Sequence, residues 1–192
     1  MQSESSQESQ EYRDRTMVLE AFADTIIPGE KRFPGDRAIA GVDTGGGSVT
    51  AGAVELLEHP AGGLALALDT FVFELNAYAG EYAQEQGFEL DDDVPAFVAL
   101  SFEARTTMVT RLTRPDHPEK QLWVGLALFC NMAFDSAPHM HTVDALAASH
   151  PGLLAMKYAR PDADGLFRFP EFSYRRKLSD IHPDTTATGS PR

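Results

Sequence analysis

His139 and His141 flank Met140, with Asp135 before them and Asp144 after. Imidazole and carboxylate are the ligands that a zinc or non-haem iron site needs, and the groups that move protons in a pocket. Residues two apart do not share a helical face, so the pair converges only if the segment is an extended loop. No HExxH spacing supports a metal site. The cluster reads either as a polar loop that caps a helix or as the lining of a substrate pocket or subunit contact. Four other patterns could carry chemistry on the same terms. Asp162-Ala-Asp164-Gly165 with Glu171 resembles part of a calcium loop, but Arg160 stands at the first ligand position and Pro170 precedes the final acid. An Asp-Gly turn between extended pieces is the plainer reading. Gly45-Gly46-Gly47 before Ser48 lacks both the GxGxxG spacing and the P-loop Lys-Ser/Thr that would hold phosphate. Cys130 sits in an apolar stretch, without the positive surroundings that thiolate chemistry requires. Glu55, Glu58, Glu74 and Glu81 fall on or near the polar sides of helices and read as solvated.

The element that must position the histidine cluster is the stretch before it, from Glu119 to Ser136. Leu122, Leu126, Phe129 and Ala133 form one stripe at helical spacing, and Trp123, Ala127, Cys130 and Phe134 form the next. An arc this wide predicts the buried central helix of a bundle. Upstream, residues 1–15 are rich in Ser, Gln and Glu and predict a disordered tail. Thr16 opens a helix with Val18, Leu19, Phe22, Ala23 and Ile26 inward, ended by Pro28-Gly29. Residues 30–48 form a loop long enough that it should lie against something. Ser48 is read as the cap of a helix running to about Glu58. Further helices are expected over Leu64 to Gln86, Ala96 to Ala99 and Ser101 to Leu112. In the last, Phe102, Arg105, Met108, Val109 and Leu112 share a face. A short helix from Thr142, with Val143, Leu146 and Ala147 inward, should end near His150-Pro151-Gly152. Residues 153–176 read as extended and aromatic, and residues 177–192 as a polar tail. The expectation is an all-α fold: an irregular helical bundle with a long loop after the first helix and an extended aromatic C-terminal arm, one domain over residues 16–176.

Composition narrows the function classes. At 192 residues the chain can bury one substantial core. A formal net charge of −13 argues against nucleic acid and anionic membranes as partners. One cysteine makes no internal disulfide. The opening residues show no apolar h-region and no apolar run reaches spanning length, so a cytoplasmic protein is expected. In the arm, Phe169, Phe172 and Tyr174 stand beside arginines, the composition that protein interfaces favour.

Leu19-Glu-Ala-Phe-Ala-Asp-Thr-Ile-Ile-Pro-Gly29, then Phe33-Pro-Gly35 and Ala40-Gly41-Val42, resembles the small subunit (subunit 3) of gluconate 2-dehydrogenase-like enzymes. Phe97, Leu100 and Arg105, followed by Asn131 and Phe134-Asp135-Ser136, continue the likeness. An actinobacterial branch is closer still, through HPEK at 117–120, NMAFD at 131–135 and DGLFRFPEFSY at 164–174. The chain differs in carrying Ala137-Pro-His-Met-His141 where the family commonly has Tyr-Gly-Gly-Asn, and in showing no twin-arginine signal. The resemblance implies an accessory subunit that binds and stabilises a flavoprotein large subunit of the glucose-methanol-choline type, at the entrance of its active site. The FAD would belong to that partner, with no cofactor in this chain. Expected interface and pocket-edge positions are Pro28, Phe33, Asn131, Asp135, His139, His141, Phe169, Phe172 and Tyr174. The alternatives are a stand-alone enzyme using His139, His141 and Asp135, or a chaperone-like structural binder.

Overall fold

Val18, Leu19, Phe22 and Ala23 recur at helical spacing, and the first helix, α1 (Gln2–Ile26), removes all four from solvent. A computed structural model of the protein describes residues 2–160 and 183–186. The described residues contain eight α-helices and no β-strand, so the fold is all-α. After α1 come α2 (Ala53–Glu58), α3 (Leu68–Gln86), α4 (Ala96–Ala99), α5 (Phe102–Leu112), α6 (Lys120–Asp135), α7 (Thr142–Ala147) and α8 (Pro151–Ala155). A compact unit spans residues 1–156, and a second takes in 157–192. The expected aromatic arm, with Phe169, Phe172 and Tyr174, and the Asp162–Asp164 turn lie outside the described residues.

The centre of the bundle is α1, which packs against α2, α3, α4, α5 and α6. Its small residues Ala21 and Ala23, both fully buried, let neighbouring backbones come close. The expectation that α6 is the buried centre is therefore corrected. That helix buries Trp123, Leu126, Cys130 and Ala133 against α1, α2, α5 and α8, and turns its other side outward. The polar opening, expected as a disordered tail, is helical from Gln2. Side chains one turn apart hydrogen-bond along it, Gln7 to Glu11 and Gln10 to Asp14, and Arg15 pairs with Glu58 and Asp69.

Three helix ends also differ from expectation. Ser48 does not cap α2; its hydroxyl is buried and donates to the Cys130 carbonyl, and α2 starts after Gly52. A 3₁₀ turn at Ala65–Ala67 precedes α3, leaving Leu66 wholly exposed. Pro151 begins α8 instead of ending α7, because proline at the first helical position loses no hydrogen bond, and His150 caps it. Leu153–Ala155 are helical in consequence, not extended. Ser101 caps α5 as the spacing predicts, its hydroxyl accepting from the Ala104 N–H at 3.2 Å.

The loop from residue 28 to 47 does lie against something. Ala38 and Ile39 are buried. Asp24 in α1 accepts the N–H groups of Gly29 and Ala40 at 3.1 and 2.9 Å. Arg105 in α5, also buried, donates to the carbonyls of Leu100, Val98, Ala38 and Arg37. One buried cation thus joins the loop, α4 and α5.

Candidate functional site

The outer side of α6 is built by its sequence. Between Lys120 and Asp135 the helix carries no charge, and its apolar arc is wider than its neighbours can cover. Leu122, Leu128 and Met132 remain 55, 54 and 39% exposed, with Phe129 half-buried beside them. Trp123 and Cys130 belong to the buried side. Burial pushes the Cys130 thiol up to about 12, so it holds its proton and is chemically quiet.

At the C-terminal end of α6, Asn131 donates its amide to Asp135 Oδ2 at 2.9 Å, one turn further on. Ala137 then takes a left-handed φ of 45° and turns the chain back. His139 lies against Gly52, whose φ of 84° and missing side chain make the space; a Cβ there would overlap His139 Nε2. The other ring nitrogen, Nδ1, is buried with no hydrogen-bond partner among the described residues. Burial pushes the His139 pKa down, opposed by nearby Glu55 and reinforced by His150 and His59. His150 is buried next to it, ring centroids 6.5 Å apart, with Nε2 3.0 Å from the Ala51 carbonyl and Nδ1 accepting from Leu153 N–H.

His141 goes the other way. It is exposed, and its Nδ1 caps α7 by accepting from the Val143 N–H at 3.4 Å. The three residues expected to act together are engaged separately: the His139 ring lies against Gly52, His141 caps α7 and the Asp135 carboxylate accepts from Asn131. Among the described residues no group of three His, Cys, Asp or Glu could hold a metal ion. Val143 and Ala147, expected inward, are exposed, while Ala145 and Leu146 carry the contact.

Phe33 is 55% exposed at the tip of the long loop, beside a cleft of about 300 Å³ that it shares with Tyr12 and Met17 of α1. Pro28 is half-buried at the loop's base, where Gly47 approaches its backbone too closely for any side chain. Arg32 holds this tip, pairing with Glu20 and with Asp36. Burial alone would raise the Asp36 pKa, but the hydrogen bonds from Arg32 and the Ile39 N–H bring it below the usual carboxylate range.

Sequence spacing placed Leu122 and Phe129 inward and did not single out Leu128, Met132 or His150. The signal for the first two was the uncharged run itself, read as burial. His150 offered none, since its acceptor on α2 is distant in sequence. No helix among the described residues is long and apolar enough to cross a membrane. A model of a family of unknown function, DUF5987, matches residues 13–192. No curated protein and no solved structure matches the chain.

Proposed function

We propose that this chain, which belongs to the DUF5987 family, acts as a non-catalytic accessory subunit that docks on and stabilises a flavin-dependent oxidoreductase of the glucose-methanol-choline type. The observation that carries the docking reading is the uncharged, apolar outer side of α6, exposed on a chain of net charge −13. Apolar side chains gathered on one exposed side of a helix are what protein contacts bury. The choice of a flavoprotein rests on the motif likeness through Pro28-Gly29, Phe33-Pro-Gly35 and Asn131 to Ser136. FAD and the oxidation chemistry belong to the partner. The C-terminal end of α6, with Asn131, Asp135 and His141, would then face the rim of the partner's active site, and His139 would hold that end onto α2.

The test is co-expression with an FAD-dependent oxidoreductase of that type from the same genome, followed by size-exclusion chromatography. The expected result is one peak that contains both chains and carries flavin absorbance, with a flavoprotein that is less stable or less active alone. Two separate peaks for every such oxidoreductase, or substrate turnover by the purified chain alone, would sink the proposal.

A further inference from the structure

The first turns of α3 and α6 part to leave a cleft of about 190 Å³. Its floor is closed by Phe71 and Trp123, packed edge to face with centroids 5.5 Å apart. The Trp123 indole N–H is buried and has no hydrogen-bond partner among the described residues. Ala67 and Leu122 form the apolar wall, and Leu122 is itself part of the exposed side of α6. Two half-buried carboxylates, Glu74 and Glu119, complete the lining. Among the described residues neither is paired with a cation; Glu119 Oε2 accepts only the Tyr78 hydroxyl, at 3.0 Å. Burial first, then the hydrogen bond to Glu119 and the nearby charges of Glu119, Glu74 and Glu81, push the Tyr78 phenol up to about 12.

From this arrangement we infer that the cleft receives an arginine side chain of the partner protein. The inference rests on the docking reading and specifies its anchor. Three requirements follow from the residues. The volume suits one long side chain. An aliphatic stem is needed to cover Leu122 and Ala67. A cationic head is needed because the lining holds two half-buried carboxylates with no paired cation among the described residues. A planar guanidinium meets two carboxylates with several N–H donors, which an ammonium point charge does less well. Buried arginines of this kind are frequent anchors in protein interfaces.

The sole tryptophan lies in the floor, so its fluorescence reports occupancy directly. The probe is N-acetyl-leucyl-arginine amide, titrated into the full chain beside its citrulline counterpart, which has the same shape and no charge. A saturable change with arginine, about tenfold weaker with citrulline, is expected. It should be lost in the Glu74→Gln/Glu119→Gln pair, or weakened several-fold in Glu74→Gln alone should the pair fold poorly. Equal binding of the two peptides, indifference to the glutamines, or no saturable change with arginine would overturn the inference. A flavoprotein complex that forms with undiminished affinity when both glutamates are changed would overturn it too, while leaving the proposed function standing. Selective peptide binding without any flavoprotein complex would do the reverse.

Discussion

Arg105 donates to four backbone carbonyls from a buried position, and removing it takes away four charge-assisted hydrogen bonds. Burial lowers its pKa to about 10, yet it stays protonated at neutral pH. Arg105→Met should therefore cost about 3 kcal/mol in urea denaturation, and Arg105→Lys should rescue little, since one ammonium cannot span the same carbonyls. His139 gives a pH signature. Its folded-state pKa lies below the ordinary 6.5, so as pH falls the unfolded chain takes up the proton first. The His139 contribution to stability is full above about 6.5 and declines as pH drops from there toward the folded-state value. The thermal midpoint should fall over that window, and His139→Gln should flatten the fall; an unchanged slope would contradict the burial. At this scale the sequence was partly legible. The helical face that holds Arg105 could be counted out, but its carbonyl partners on the loop could not, because they come from a distant segment. For His139 and His141 the spacing showed only that they diverge on a helix, not which one turns inward.

At the scale of elements, α6 was legible as a helix, with bounds within a residue of those expected, and illegible as a surface. Periodicity locates the apolar side, but whether neighbours exist to cover it depends on tertiary packing. Here α1 took the centre, and the outer residues of α6 stayed exposed. The short helices were harder to read for a different reason. Pro151 reads equally as a stop and as a first helical residue, and Ser48 as a cap or a buried donor. Gly52 illustrates how one element positions another, since its left-handed backbone both starts α2 and makes room for His139. Gly52→Ala should destabilise the fold by about 1–2 kcal/mol from the backbone alone. It should also displace His139, so the loss of its pH-dependent slope is the diagnostic readout.

For the whole molecule, the all-α class and the packed long loop followed from the sequence, and the polar start did not. Glutamate, glutamine and arginine are good helix formers, and α1 propagates outward from its buried second half. Because residues 7–11 are exposed, deletion of residues 2–11 should reduce helicity by circular dichroism yet leave the unfolding free energy within about 0.5 kcal/mol. The outer side of α6 is the feature on which the functional account depends. Its most direct test is the affinity of the purified flavoprotein for the wild-type chain and for a Leu128→Glu/Met132→Glu variant, with folding checked by thermal denaturation. An unchanged midpoint is expected, with binding weakened by about a hundredfold or more, roughly the cost of burying unpaired charge in an apolar contact. Undiminished binding by the folded variant would place the partner elsewhere and contradict the proposed docking.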